Sequence, residues 1–253
     1  MSNSRSLPVL VITGGGAGIG AATARLGVAR GYAVALSYRG GRAAAEALVA
    51  ELSAAGGKAM AMHADAGDEA ATSDFFAAVD RQLGPVTALV NNAGITGPVA
   101  ALDQVDAAVL DRVLATNVTG CFLALKQAIR RMATDLGGPG GAVVNVSSRA
   151  AALGGPNEWV HYAASKGAVD SFTIGAAKEL APRGIRVNAV CPGLIDTDIH
   201  AKSGQPDRSE RMAPTIPMQR AGTAEEVARV ILWLLSDEAA YVTGALVPVS
   251  GGR

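Results

Sequence analysis

The sequence predicts an α/β fold in which seven parallel strands form one doubly wound sheet with helices on both faces. Short apolar runs rich in Val, Ile and Leu alternate with longer Ala-rich amphipathic segments, which is typical of repeated βα units. Apolar residues make up 49% of the 253 residues, enough to bury a large core. No linker, repeat or low-complexity tract divides the chain, so we expect a single domain over residues 1–253.

The individual elements follow from this alternation. The short apolar runs predict strands over residues 9–13, 33–38, 58–63, 86–91, 141–147, 186–191 and 245–249. The amphipathic segments between them predict helices over residues 19–30, 42–55, 69–82, 107–132, 162–181 and 224–236. Residues 137–141, which are rich in glycine, are interpreted as a connector between a helix and a strand.

One segment of about thirty residues, from Pro192 to Gly222, breaks the alternation. It contains four prolines and mixed charge, and it is too long for an ordinary connection in a compact domain. It also follows the carboxyl end of a strand, where open α/β sheets bind ligands. We therefore predict a substrate lid over about residues 193–222, with disorder as the alternative.

Composition excludes several kinds of partner. Lys and Arg together number 22, as do Asp and Glu, so no net charge attracts nucleic acid or an anionic membrane. The polar start at residues 1–6 and the short apolar run after it predict neither a signal peptide nor a membrane anchor. Cys121 and Cys191 lack a paired spacing, and His63 and His200 lack ligand-spaced partners. We expect a cytoplasmic protein with no metal site.

A glycine run after the first strand predicts a phosphate site. Gly14, Gly18 and Gly20 stand between an apolar strand and a helical segment. Glycine lets the backbone turn sharply and approach a pyrophosphate, which the amides and positive end of the following helix attract. Tight turns also use glycine, but the position at the front of a βαβ unit favours dinucleotide binding.

The end of the second strand indicates which dinucleotide binds. Dinucleotide sites of this kind usually place an acidic residue there for the ribose hydroxyls, but no Asp or Glu occurs before Glu46. Arg39 stands at this point instead, and Arg42 follows it. Because a guanidinium suits a ribose 2′-phosphate, we predict NADP(H) as the favoured cofactor and NAD(H) as the alternative. Solvated surface arginines are the other interpretation.

The segment Tyr162-Ala-Ala-Ser-Lys166 carries the catalytic hypothesis. A phenol and an ammonium four residues apart lie on the same face of a helix, where the ammonium stabilises the phenolate. Tyr162 is therefore predicted to act as a general acid or base. Upstream, Ser147 and Ser148 point to opposite faces if their strand continues, so only one of them can reach the same site.

Taken together, these motifs resemble the short-chain dehydrogenase/reductase family over nearly the whole chain. The shared motifs run in the family's order: Thr13-Gly-Gly-Gly-Ala-Gly-Ile-Gly20, Asn91-Asn-Ala-Gly94, Asn117, Ser148, Tyr162-x-x-x-Lys166, Pro192-Gly193, Val242-Thr-Gly244 and Gly251-Gly252. The chain is similar to glucose 1-dehydrogenase-like and 3-oxoacyl-carrier-protein-reductase-like members. The resemblance implies a Rossmann-like fold and an NAD(P)(H)-dependent oxidoreductase acting on carbonyls or secondary alcohols.

The resemblance also implies catalytic roles. Tyr162 exchanges the proton, Lys166 assists it and hydrogen-bonds the nicotinamide ribose, and Ser148 holds the substrate oxygen. Asn117 fixes a water that links Lys166 to solvent; its alternative is a bond to its own helix backbone. Ser148 is preferred to Ser147 because the family's serine commonly lies thirteen or so residues before the tyrosine.

The same resemblance implies the binding residues. Substrate contacts are Ser148, Gly154, Trp159 and Tyr162; the alternative role for Trp159 is to anchor its loop. Asp65 is placed near the adenine and Thr197 at the nicotinamide carboxamide, unless Thr197 only caps a turn. The cofactor-binding set comprises Gly14, Gly16, Ala17, Gly18, Ile19, Gly20, Tyr38, Arg39, Ala64, Asp65, Ala66, Asn92, Ala93, Gly94, Tyr162, Lys166, Pro192, Gly193, Ile195 and Thr197. Val249-Ser250-Gly251-Gly252 departs from the acidic residue that many relatives carry before the terminal glycines.

The sequence indicates less about the oligomeric state and the substrate than about the fold and the cofactor. The helices predicted at 107–132 and 162–181 are apolar around much of their circumference, so we expect a homotetramer, with a dimer as the alternative. Glu158 and the histidines favour a small polar substrate such as a sugar or polyol. A non-catalytic regulator that senses nicotinamide redox state is the rival function, but all four catalytic positions are present. A nucleic-acid-binding protein lacks the basic stripe it needs.

Overall fold

The sheet contains seven strands, all of them parallel. The computed structural model describes residues 7–253, so the expectation for residues 1–6 lies outside the described residues. The strand order is β3-β2-β1-β4-β5-β6-β7. The predicted parallel sheet is confirmed, and each predicted strand end lies within one residue of the observed one. The strands are β1 (Val9–Ile12), β2 (Ala33–Tyr38), β3 (Ala59–His63), β4 (Val86–Asn91), β5 (Gly141–Val146), β6 (Ile185–Pro192) and β7 (Leu246–Val249).

The helices cover both faces of this sheet, as predicted. Long helices alternate with the strands, and the short ones occur in the loops beyond β5 and β6. They are α1 (Gly18–Ala29), α2 (Arg42–Ala54), α3 (Glu69–Gln82), α4 (Ala107–Leu114), α5 (Gly120–Met132), α6 (Ala150–Leu153), α7 (Val160–Leu180), α8 (Ile199–Lys202), α9 (Arg208–Met212) and α10 (Ala224–Leu235).

The core consists of two apolar layers, one on each face of the sheet. Successive side chains of a strand point to opposite faces, so a strand covered on both faces is apolar throughout. In β1, Val9 and Val11 pack in the layer beneath α3, α5 and α7. Leu10 and Ile12 pack in the layer beneath α1, α2 and α10. The continuous apolar runs in the sequence have this origin.

The single helix predicted over residues 107–132 is interrupted. A π-helical turn, Ala115–Thr119, separates α4 from α5. Within this turn the Asn117 side chain bonds the backbone of Ile95 outside the helix. Gly120 lies against Ala66, whose Cβ would be 3.0 Å from an added Cβ at Gly120. The apolar pattern continues across the turn, so periodicity alone predicts one helix.

The same run, Ala107–Met132, is long and apolar enough to cross a membrane by length and composition alone. Its mean hydropathy is 1.4, and 39% of the tested window is buried inside the protein. Core helices of globular proteins pass the same test. Here Ala124, Leu125 and Ala128 of α5 pack in the layer that covers the sheet.

The segment predicted as a lid is ordered into short helices and is fastened at both ends. It contains α8 and α9, which are too short to produce a periodic signal in the sequence. At its base, the Asp196 amide donates to the Gly222 carbonyl, and the Gly222 amide donates to the Leu194 carbonyl, each at 2.9 Å. Residues 193–222, called the lid below, therefore leave the sheet and return at one point.

Candidate active site

A cleft of about 680 Å³ opens at the carboxyl ends of the strands and collects most of the predicted site residues. Parallel strands direct their carboxyl ends to one edge, where the loops that follow them meet. The predicted residues that line it are Gly14, Gly16, Ala17, Gly18, Ile19, Tyr38, Arg39, Ala64, Asp65, Ala66, Asn92, Ala93, Gly94, Ser148, Trp159, Tyr162, Lys166, Pro192, Gly193, Ile195 and Thr197.

Three predicted residues do not line the cleft. Gly20 lies inside α1, where an added Cβ would stand 2.7 Å from the Asn92 side-chain nitrogen, so it permits close packing. Gly154 precedes the lining residue Gly155. Asn117 is completely buried behind the cleft.

The glycine loop has the features that a pyrophosphate requires. The N-cap residue of helix α1 is Ala17, which provides no side-chain cap, and the first turn contains no acidic residue. The amides and the positive end of the helix are therefore available to an anion. Gly14 has a φ of +63°, and an added Cβ would lie 2.8 Å from Ala93 Cα. The Asn92 side chain donates to the Gly14 carbonyl at 2.8 Å and holds the loop against β4. These residues fit a dinucleotide.

A second open helix end borders the cleft beyond the end of β2. Helix α2 begins after Gly41, again without a side-chain cap or an acid in its first turn, and Gly41 lines the cleft. Arg39 Nη1 stands 3.9 Å from Asp65 Oδ2, with both side chains about half exposed. Arg42, in contrast, bonds Glu46 at 2.7 Å and is outside the cleft lining. By comparison, α3, α4 and α10 all begin with a side-chain cap.

Lys166 is buried at the centre of the site. Its side chain extends from α7 to donate from Nζ to the Val146 carbonyl at 2.7 Å, where β5 ends. Nζ stands 5.7 Å from the Tyr162 ring centroid. The residue is only 4% exposed, yet no carboxylate among residues 7–253 forms an ion pair with it. An ammonium has three donors, so two of them can serve a ligand.

The two serines have separate environments. Ser147 is 2% exposed, and its hydroxyl donates to the Lys166 carbonyl at 3.3 Å. Ser147 also borders Asp170 and Cys191, where burial raises the pKa of the Asp170 carboxyl and raises that of the Cys191 thiol to about 11. Both residues line the cleft, and the Ser148 hydroxyl accepts from the Ala150 amide at 3.1 Å. The Ser147 hydroxyl uses its hydrogen in the bond to Lys166, whereas that of Ser148 remains able to donate to a ligand.

Asn117 connects two segments of the site. Its Oδ1 accepts from the Ile95 amide at 2.8 Å, and its Nδ2 donates to the Ile95 carbonyl at 2.9 Å. The same Nδ2 donates to Ser165 Oγ at 3.0 Å, one residue before Lys166. Its side chain therefore ties the loop after β4 to α7, and within the described residues it makes no hydrogen bond to Lys166.

One end of the cleft is lined by Trp159, a predicted substrate contact, and is called the substrate end below. It contains a charged pair that was not predicted from the sequence. Arg208 of the lid helix α9 donates to both carboxylate oxygens of Glu158, at 2.6 and 2.7 Å. The guanidinium also lies 4.5 Å from the Trp159 ring centroid. Arg208 lowers the pKa of the Glu158 carboxyl through these bonds. The partners are fifty residues apart in sequence, so no local spacing connects them.

The remaining histidine and metal questions concern the surroundings of the cleft. His161 is buried in α7, with Nε2 2.8 Å from the Thr96 carbonyl oxygen. No group of three His, Cys, Asp or Glu residues converges as a metal site in the part of the chain that the structure describes. The side chain of His200 lies outside the described side chains.

The glycine loop lies at an open helix end, and a buried lysine and a tyrosine lie beyond the same edge of the sheet. This arrangement is that of a dinucleotide-dependent oxidoreductase of Rossmann type. Comparison with known proteins narrows this class. A family model described as "Enoyl-(Acyl carrier protein) reductase" matches residues 14–253. The chain belongs to the short-chain dehydrogenase/reductase family, and it is an oxidoreductase of a family that uses NAD(P).

Curated relatives and solved structures agree with this assignment. The chain is 49% identical over 247 residues to "Uncharacterized oxidoreductase YgfF" of Escherichia coli (strain K12), covering 98% of this chain and 100% of the relative. It is 39% identical over 257 residues to "2-(S)-hydroxypropyl-CoM dehydrogenase 3" of Xanthobacter autotrophicus, covering 100% and 98%. A structure of a blue fluorescent protein from a metagenomic library in complex with NADPH has a TM-score of 0.88 and 36% identity, covering 97% of each chain.

Proposed function

We propose that the protein transfers a hydride between NADP(H) and the carbonyl or secondary alcohol carbon of a small substrate, with Tyr162 as the general acid or base. The observation that carries the proposal is the buried Lys166 ammonium beside Tyr162 at the cleft, with two donors available. The nicotinamide, when bound, supplies or accepts the hydride. The 2-(S)-hydroxypropyl-CoM relative supports the reaction class, because its name describes a dehydrogenase acting on a hydroxypropyl group.

The residues of this chain divide the remaining work. Tyr162 gives a proton to the carbonyl oxygen during reduction and takes one from the alcohol during oxidation. The Lys166 ammonium, beside the Tyr162 ring, assists this proton exchange and binds a ribose hydroxyl. The Ser148 hydroxyl donates to the substrate oxygen and stabilises its developing charge. Asn117 holds the Ile95 loop and the Ser165 turn in register around these groups.

The preference for NADP(H) is supported by two features at one place. Arg39 and the uncapped start of α2 both border the cleft where the second strand ends, so a guanidinium and helix amides can share a 2′-phosphate. The relative of known structure that was solved with NADPH adds support from a similar fold. NAD(H) lacks the phosphate and gains nothing from either feature.

The proposed biological setting is a homotetramer in the cytoplasm that acts on a small polar substrate. Cys121 and Cys191 are both free and buried, which suits a reducing compartment. The substrate end combines the Glu158–Arg208 pair with the Trp159 ring, a mixture of polar and aromatic surface suited to a sugar or polyol. Cell fractionation tests the location, and the assembly is considered below.

The proposed function is tested with a panel of carbonyls and alcohols, monitored by the absorbance of reduced nicotinamide. Tyr162→Phe is expected to lower kcat by about 10²–10⁴-fold, because it removes the exchangeable proton while keeping the ring. Cofactor affinity, measured by fluorescence titration, is expected to stay within about twofold, because the ring that lines the cleft is retained and only its hydroxyl is lost. Tyr241→Phe, at a fully exposed tyrosine, is the matched control.

Two results would contradict the proposal. Full turnover by Tyr162→Phe excludes the phenol as the acid or base. Cofactor binding by the unmodified protein with no turnover across the panel favours the rival redox-sensing regulator.

A further inference from the structure

Among the side chains of the lid that the structure describes, one charged group is buried. Most side chains of α9 and its flanking turns are exposed or half-buried, but Arg208 is only 6% exposed. Burying a guanidinium costs free energy unless an anion and enough acceptors compensate for the lost water. The position of Arg208 therefore depends on the partners that it meets beneath the lid.

Those partners form a geometrically complete clamp. The two terminal nitrogens of Arg208 bind the two oxygens of Glu158, and Nη1 also donates to Gln205 Oε1 at 3.1 Å. The opposite contact is the Trp159 ring, with the guanidinium carbon 4.5 Å from its centroid. A planar fork and an aromatic stack are contacts that Arg makes and Lys does not. The clamp is specific to the residue type as well as to its charge.

The clamp joins the lid to the segment that begins the catalytic helix. Glu158 and Trp159 immediately precede α7, which carries Tyr162 in its first turn. The Glu158 carbonyl accepts from the Ala100 amide at 3.0 Å. The Trp159 indole donates to the Gly97 carbonyl at 3.2 Å. The loop after β4, the start of α7 and the lid are thereby held together.

The lid is fixed at its base, which restricts where it can move. The bridge between Ile195 and Gly222 holds both ends of the lid to each other. The Met218 amide also donates to the Gly251 carbonyl at 3.1 Å, so α9 lies between two attached points of the lid. Between these points, the ion pair of Arg208 with Glu158 joins α9 to the segment that precedes α7.

We propose that Arg208 and Glu158 form a latch that closes the lid over the substrate, and that Arg208 is a positioning residue for the reaction. The inference rests on the proposed function. Glu158, Trp159 and Arg208 all line the substrate end of the cleft, so closing the latch completes the wall against which the substrate rests. Opening it releases α9 without disturbing the glycine loop or Lys166, which belong to other segments.

The test uses three variants and one matched control. Arg208→Met removes the charge and the fork, Glu158→Gln removes the carboxylate charge at nearly constant volume, and Glu158→Gln/Arg208→Met removes both. Glu210→Gln is the control, because Glu210 lies exposed on the same helix and forms no ion pair with the clamp residues. All proteins are saturated with NADPH and must retain its binding.

The first measurement is amide hydrogen exchange across residues 205–212, which does not depend on turnover. Arg208→Met and Glu158→Gln are expected to exchange at least about tenfold faster than the unmodified protein, because each leaves one partner without its counter-charge. The double variant is expected to exchange no faster than the faster single variant, which is the mark of a shared interaction. Glu210→Gln is expected to match the unmodified protein.

The second measurement is steady-state kinetics with the best substrate of the panel. The latch variants are expected to raise KM by about tenfold while kcat changes less than about threefold, because substrate retention is lost and the proton-transfer groups remain. Arg208→Lys is expected to recover only part of the loss. Exchange by Arg208→Met equal to that of Glu210→Gln, or additive effects in the double variant, would overturn the latch. Absence of turnover in the unmodified protein would instead count against the proposed function and leave the exchange result to decide the latch.

Discussion

Lys166 shows how burial and spacing act together at a single residue. A lysine is rarely this buried without an acidic partner, because its ammonium loses hydration. Here the Val146 carbonyl takes one donor and the cleft receives the others. The four-residue spacing to Tyr162 predicted that both side chains share a helix face. The acceptor at the end of β5 lies twenty residues away, and only the folded sheet brings it there.

Arg39 offers a test of cofactor preference at the residue scale. Arg39→Ala is expected to lower kcat/KM with NADP(H) by about 10–100-fold, because it removes a charged hydrogen-bond donor from the 2′-phosphate. The value with NAD(H) is expected to stay within about twofold, because that cofactor has no phosphate at this point. Both are measured as initial rates with each cofactor.

The matched control for Arg39 is Arg42→Ala. Arg42 lies three residues further on but pairs with Glu46 outside the cleft, so its loss is expected to leave both cofactors unaffected. A native preference for NAD(H), or an equal effect of Arg39→Ala on both cofactors, would contradict the assignment of the 2′-phosphate site.

Which residues the sequence could predict depends on how their partners are encoded. Gly14 and Tyr162 belong to local motifs whose spacing reflects one turn or one helix, so the pattern predicts their neighbours. Arg208 and Trp159 belong to a contact between a lid and a helix start, which no local period describes. From the sequence, Glu158 indicated only a polar substrate, because its ion-pair partner is determined by how the lid folds back over the cleft. Long-range ion pairs of this kind require the structure.

At the scale of elements, regular strands and helices were predictable and irregular ones were not. The end of α5 at Met132 and the start of α4 at Ala107 agree with the prediction, whereas the π-helical turn between them does not. That turn exists because Asn117 bonds outside the helix and Gly120 lies close to Ala66. Such tertiary contacts leave the apolar period almost unchanged, and so the interruption is invisible in the sequence.

Helix α10 provides a stability prediction for an element that supports α1. Glu226 accepts from the Thr223 amide at 2.8 Å in a capping box and binds Arg220 at 2.6 Å. These bonds lower the pKa of Glu226 from its ordinary value of 4.5 to about 2. Because the folded pKa is depressed, the stabilisation is complete above about pH 4.5 and is lost as the pH falls towards about 2.

Glu226→Gln is therefore expected to lower the free energy of unfolding by about 1 kcal/mol at neutral pH, a value that allows for solvent screening at this partly exposed side chain. The difference from the unmodified protein is expected to shrink at about pH 3.5, as the carboxylate becomes protonated in the unfolded chain. Urea unfolding at several pH values measures it. Glu225→Gln, in the same turn but outside the capping box, is the control; an effect of Glu225→Gln equal to that of Glu226→Gln would contradict the role of the Glu226 charge.

At the scale of the whole molecule, two separate surfaces remain apolar and exposed. The first consists of Leu110, Leu114, Phe122 and Ile174, on α4, α5 and α7, with the Phe122 ring 53% exposed and 4.1 Å from that of Phe172. The second is the β7 edge of the sheet, next to the fully exposed Tyr241. An unpaired strand edge and an apolar helical face both favour association. Two distinct surfaces on one chain, each pairing with its own copy, are what a dimer of dimers requires.

The proposed homotetramer predicts a stepwise response to mutation. Phe122→Glu places a charge in the first surface only and is expected to give a dimer, because the second surface still joins two copies. Sedimentation at micromolar concentration measures this as a fall from four to two times the 25.4 kDa chain mass. Leu136→Glu, at an exposed apolar residue outside both surfaces, is expected to leave the tetramer intact. A monomeric unmodified protein would refute both the tetramer and the dimer. The apolar side of Ala107–Met132 would then require a different partner.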